Sequence, residues 1–146
     1  MQKILVAVNG SKHSEKAADF AADLAKELSA KIILIFVMPR PDVPEDYADY
    51  AKREILANPV ASYLNTVSEG IIAKLGARLE KKGVEFEAIY HLGNPVEKIL
   101  ETARARKVGL VVVGMHGRRR LGRLRALGSV SRKIIDESPV PVLVVP

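Results

Sequence analysis

Leu110-Val111-Val112-Val113-Gly114-Met115-His116-Gly117 runs an aliphatic segment straight into a glycine turn, and Leu127-Gly128-Ser129-Val130-Ser131 closes the loop that follows. An apolar run without polar alternation, Leu110 to Val113, predicts a strand buried on both faces. Gly128-Ser129 followed by Val130, Ile134 and Ile135 predicts a helix starting near Ser129. The unit is strand, glycine loop, helix. Parallel sheets are assembled from such units, so the fold turns on whether the alternation continues in both directions.

It does. Toward the C-terminus, Val140 to Val145 reads as a fifth strand. Upstream, Asn94-Pro95-Val96-Glu97 is a compact helix start, with Asn as cap, Pro at the first helical position and Glu where a capping-box acid sits. Val96, Ile99, Leu100 and Ala103 form that helix's apolar stripe. Val84, Phe86 and Ala88 alternate with Glu85 and Glu87, a third strand near a sheet edge. Leu64, Val67, Ile71, Leu75 and Leu79 mark a long second helix, with Gly83 as its stop. Ile4 to Val8 and Ile32 to Met38 are the first two strands. Between them a helix spans Lys12 to Ser29, capped by Ser11, with Ala17, Ala18, Ala21, Leu24, Ala25 and Leu28 at helical spacing. From Arg40 to Asn58 no period is clear, apart from a short helical piece over Tyr47 to Leu56.

Right-handed crossovers between these strands give a doubly wound, open, parallel five-stranded α/β sheet with helices on both faces and strand order 3-2-1-4-5. The chain of 146 residues fits one domain, with no linker, repeat or low-complexity tract. It has no Cys, which excludes disulfides, thiolate metal sites and cysteine nucleophiles. No apolar run approaches the ~20 residues of a bilayer span. Met1-Gln2-Lys3-Ile4 leads into a strand without a charged leader or apolar signal core, so a cytoplasmic protein without membrane attachment is expected.

The net charge is +6, and the excess is concentrated in the last third, at residues that include Arg104, Arg106, Arg118, Arg119, Arg120, Arg123, Arg125 and Arg132. Such a face is either simply solvated or attracts anions. Nucleic acid is disfavoured as its partner, because aromatics are not interleaved with the charges. His13, His91 and His116 have no metal-ligand spacing, and no nucleophile, base and orienter can be assembled, so no catalytic residue is assigned and hydrolysis is slow at most.

In open parallel sheets the ligand site lies beyond the carboxyl ends of the strands where the order reverses. That places Asn9-Gly10-Ser11 and the loop from Gly114 at the centre. Glycines there let a backbone approach an anion, a helix beginning at Gly128-Ser129 favours a phosphate, and Ser129 and Ser131 offer hydroxyl donors. The alternative is a plain loop in which Ser129 only caps the helix. The spacing is neither a Walker A loop nor a dinucleotide fingerprint.

The sequence resembles the universal stress protein family. That family's motif of Gly, two residues, Gly, nine residues, then Gly-Ser or Gly-Thr is matched by Gly114, Gly117 and Gly128-Ser129. Ile4-Leu5-Val6-Ala7-Val8, Gly93-Asn94-Pro95 and the closing Pro139-Val140-Pro141-Val142-Leu143-Val144-Val145 match its surroundings. The resemblance implies binding of ATP or a related adenine nucleotide, ADP or AMP, with or without magnesium, in a stress-response or signalling module. Gly114, Met115, Gly117, Gly128, Ser129 and Val130 would hold phosphates and ribose, with Val37 near the adenine, and Ala7 and Asn9 facing the ligand. Two features depart from the pattern. Ten residues, not nine, separate Gly117 from Gly128, and position 9 is Asn where nucleotide-binding members usually carry Asp. Asn9 can bond a ribose hydroxyl but brings no charge for a metal ion. The alternative function is a protein-interaction dimer of the same fold without nucleotide. The last strand, an apolar edge, and the resemblance both point to a homodimer paired through Val140–Val145, alongside an unidentified protein partner.

Overall fold

The computed structural model describes residues 1–39, 46, 59–115 and 127–146. Among these, β1 (Lys3–Val8), β2 (Lys31–Met38), β3 (Phe86–Leu92), β4 (Leu110–Gly114) and β5 (Val142–Val145) form one parallel sheet in the order β3-β2-β1-β4-β5. This is the order expected from the sequence. The piece expected over Tyr47 to Leu56 lies outside the described residues, as do His116, Gly117 and the arginines from Arg118 to Arg125.

Successive strand side chains point to opposite faces, so each inner strand feeds two cores. Ile4, Val6 and Val8 of β1 and Ile32, Leu34 and Phe36 of β2 meet helices α1 (Lys12–Leu28) and α2 (Pro59–Lys81) on one face. On the other face Leu5, Ile33, Ile35, Val111 and Val113 meet α3 (Pro95–Ala105) and α4 (Ser129–Glu137), through Ile99, Leu100, Ala103 and Ile134. A strand buried on both sides has no room for polar alternation, which is why β1, β2 and β4 read as continuous aliphatic runs. β3 lies at an edge, as expected, and none of its residues is fully buried.

The helix boundaries have local causes. Ser11 Oγ accepts from the Ser14 amide at 3.2 Å and Asn94 Oδ1 from the Glu97 amide at 3.1 Å, so both expected N-caps form. α2 ends where Gly83 takes φ +73° and the Val84 amide reaches back to the Leu79 carbonyl at 3.0 Å. α1 and α3 stop with the same bond pattern, but with Ser29 (φ 51°) and Lys107 (φ 52°) in the left-handed position. The sequence extends α1 to Ser29 and begins the third strand at Val84, and this closing geometry corrects both. Ser29 is the residue that ends α1, and Val84 is buried under the turn, with β3 starting at Phe86. β5 begins at Val142, because Pro139 and Pro141 lack the amides a ladder needs.

α1 and α2 are joined along their outer sides by charge. Glu15 takes Lys74 at 2.5 Å and Arg78 at 3.3 Å, Asp19 takes Arg78 at 3.2 Å, and Asp23 takes Lys82 at 2.8 Å. The hydrogen bond from Lys74, aided by the charges of Lys74 and Arg78 and opposed by partial burial, holds the Glu15 carboxyl below its usual range. A lowered folded pKa adds stability above the unfolded carboxyl's range and loses it as pH falls through the folded value. Since Lys74 is mostly exposed, this contribution is about 0.5–1 kcal/mol after solvent screening. Glu15→Gln should remove it at neutral pH and change little at a pH low enough to protonate the carboxyl in both states. Urea melts of both proteins at the two pH values measure the difference.

Candidate functional site

Strand order reverses between β1 and β4, and the helices that come next in the chain, α1 and α4, lie on opposite faces. A crevice opens there by construction. It is a cavity of about 670 Å³, in the range of small-molecule sites. Its apolar walls include Ile35, Val37, Pro39, Ile99 and Val113, and Asn9, Ser14, Tyr63, Ser129 and Ser131 supply its polar atoms. Among the described lining residues there is no Asp, Glu, Lys, Arg or His.

The β1 end of the cavity is a closed hydrogen-bond circuit. Asn9 Oδ1 accepts from the Ser11 amide at 3.0 Å, and the Asn9 amide donates to Ser14 Oγ at 3.3 Å. The Ser14 hydroxyl donates its one proton to the Ser11 carbonyl at 2.9 Å. The Asn9, Ser11 and Ser14 amides are therefore satisfied within the turn.

The β4 end differs. α4 starts at Ser129 with Gly128 as its N-cap, so no side chain caps it. Its first helical bond runs from the Arg132 amide to the Gly128 carbonyl at 3.0 Å. The amides of Ser129, Val130 and Ser131 precede that bond and have no partner among the described residues. All three residues line the cavity. Unpaired amides at a helix start carry partial positive charge and suit an anion. Ser129 is thus the first helical residue rather than the cap.

Two residues singled out by the sequence have other work. The Ser131 hydroxyl, expected as a ligand donor, is buried and donates to the Gly114 carbonyl at 2.7 Å. That bond fixes the start of α4 to the end of β4. Gly114, expected to admit an anion, has no room for a side chain. A Cβ there would lie 2.8 Å from the His13 carbonyl carbon. Its glycine lets α1 pack onto the end of β4. Met115 commits both backbone groups, donating to Val145 at 2.8 Å and accepting from Gly128 at 2.9 Å.

Ala7, Asn9, Val37, Gly114, Gly128, Ser129 and Val130 therefore share one cavity, with Val37 buried and Val130 38% exposed. Gly117 lies outside the described residues. Ser14, Pro39, Tyr63, Pro95 and Ile99 also line the cavity and were not anticipated. The Asn94-Pro95 start was a usable signal for the last two, since a helix beginning right after a strand puts its first turns beside the carboxyl end of the sheet.

The sequence profile of the universal stress protein family matches residues 1–146. The chain belongs to the universal stress protein family. Universal stress protein YxiE of Bacillus subtilis is 34% identical over 154 residues, covering 98% of this chain and 97% of YxiE. Protein MJ0577, from Methanocaldococcus jannaschii, has a solved structure that matches with a TM-score of 0.80 at 26% identity, covering 99% of this chain and 94% of that one. A universal stress protein solved in complex with cAMP matches with a TM-score of 0.68 at 28% identity, covering 99% of this chain and 95% of that one. Adenine-nucleotide binding thus occurs on this fold within the family.

Because Gly114 is filled from behind by His13, Gly114→Ala should destabilise the chain by about 1–3 kcal/mol through overpacking. Chemical denaturation measures this. A loss below the lower figure would show that α1 shifts freely and that the close approach is not a constraint.

Proposed function

We propose that this universal stress protein binds an adenine nucleotide, ATP, ADP or AMP, in the crevice between β1 and β4, as a stress-response or signalling module. The observation that carries the reading is the uncapped start of α4. α1 and α3 have side-chain caps, at Ser11 and Asn94, while α4, which opens on the cavity, has none. An uncapped helix start beside an apolar slot matches a ligand with a phosphate at one end and a flat ring at the other. In this reading the amides of Ser129 and Val130 take the phosphate, Val37 and Ala7 face the adenine, Asn9 faces the ribose and phosphate, and the loop from Gly114 through Met115 and Gly117 to Gly128 encloses them. The relative holding cAMP supports the ligand class.

The same chain is proposed to act as a homodimer through its last strand. β5 is an edge, and its Val142, Leu143 and Val144 are only partly buried. α1 adds to that edge. Its acids Glu15, Asp19 and Asp23 face α2, and across the buried stripe, on the opposite flank, Phe20 is 50% exposed beside Leu24. α1 contacts β5 on the face that carries Leu143, and in this reading a second copy would cover Phe20 together with the edge.

Protein purified under native conditions should retain adenine nucleotide. AMP or ATP at a hundredfold excess over its Kd should raise the melting temperature by roughly 5–10 °C, the equivalent of about 2.7 kcal/mol. No retained nucleotide and no shift would leave the interaction dimer as the reading for this chain. Sedimentation at micromolar concentration should show a dimer that Phe20→Glu converts to monomer, and a monomeric wild type would remove the dimer from the proposal.

A further inference from the structure

Resting on the nucleotide reading, we propose that the cavity takes its ligand as the bare anion rather than as a divalent-metal chelate, with Asn9 acting as a neutral hydrogen-bond donor to it. Magnesium demands oxygen ligands, usually with one or two carboxylates beside the phosphates. Among the described residues the cavity lining has no carboxylate, and no group of three His, Asp or Glu residues could hold a metal ion. The described lining offers no carboxylate to a bound metal.

The neutral oxygens do not replace a carboxylate. Only the oxygen of a carboxamide can accept, so the bond from the Ser11 amide identifies Asn9 Oδ1 and leaves the Asn9 NH₂ as the group still to be satisfied. The Ser14 hydroxyl accepts from the Asn9 amide and gives its proton to the Ser11 carbonyl. The Ser131 hydroxyl is spent on Gly114. Toward a ligand the two ends of the cavity hold the Asn9 NH₂ on the β1 side and, on the β4 side, the amides of Ser129, Val130 and Ser131 with the neutral Ser129 hydroxyl, which can donate as well as accept. Donors on both sides satisfy phosphate oxygens directly, and a metal placed between them would face hydrogens.

An aspartate at position 9 would reverse this. It keeps the oxygen that Ser11 requires, so the turn survives, but sets a negative charge against the phosphate that a cation must then screen. The test is isothermal titration of the full chain with AMP and with ATP, in EDTA and in excess magnesium chloride, for wild type and Asn9→Asp, with thermal melts to show that both are folded. Wild type should bind AMP equally in both buffers and bind ATP at least as tightly in EDTA as in magnesium. Asn9→Asp should bind roughly tenfold more weakly in EDTA, from one added like charge in a partly solvated site, and recover with magnesium. Wild-type binding that requires magnesium, or an Asn9→Asp affinity unchanged in EDTA, overturns the metal-free proposal and leaves the nucleotide reading standing. No binding of either nucleotide in either buffer overturns both.

Discussion

The end of β4 carries the contacts on which the rest of the site depends. At Gly114 the backbone of His13 occupies the space of a side chain, while the Ser131 hydroxyl takes the carbonyl at 2.7 Å. One residue on, the Met115 amide is bonded to Val145. α1, α4 and β5 are thereby fixed to a single point of the sheet. The Asn9 turn enters α1 and the Gly128 turn enters α4, so anchoring both helices there sets the spacing across the crevice. A side chain at 114 or a missing hydroxyl at 131 would move one wall of the cavity against the other. Packing, rather than ligand contact, explains both residue types.

From this anchoring follows a division of labour between the two loops. The β1 loop consumes its polar groups apart from the Asn9 NH₂, with Asn9, Ser11 and Ser14 bonding one another. The start of α4 leaves its amides open, because glycine at the cap position supplies no side-chain acceptor. The β1 loop has one side-chain donor left over, the Asn9 NH₂, and the start of α4 presents a row of backbone donors. A helix start of this kind binds any anion of suitable size, so ligand choice rests with the apolar slot formed by residues such as Val37, Pro39 and Ile99. Preorganised donors need no rearrangement when the anion arrives, which lowers the cost of binding.

Much of the architecture was legible in the sequence. The aliphatic runs at Ile4, Ile32 and Leu110, against the alternation at Phe86, distinguish inner strands from an edge, and right-handed crossovers leave few orders open. Ser11, Asn94 and Gly83 announce helix ends because each has a specific backbone job. The stops at Ser29 and Lys107 were not readable, since neither residue favours the left-handed region and tertiary packing imposes it. Within the site, Asn9, Val37 and Gly128 could be placed near one another from strand order alone. The roles of Gly114 and Ser131 could not, because a glycine that admits a ligand and one that admits a neighbouring helix look identical in sequence. Nor does sequence show that the Ser131 hydroxyl faces a carbonyl. Tyr63 and Ser14 reach the cavity from helices whose tilt the periodicity does not fix.

The central claim is that the open amides of α4 are the anion seat. Amide ¹H–¹⁵N spectra recorded while AMP is titrated into labelled protein test it most directly. The account predicts that the amides of Ser129, Val130 and Ser131 move furthest, while those of Ser14 and Glu15, already bonded within their own turn, move little. A second depression lies between α3 and α4, lined by Glu101, Arg104 and Lys133, and shifts concentrated there, or uniform small shifts over the whole surface, would contradict it.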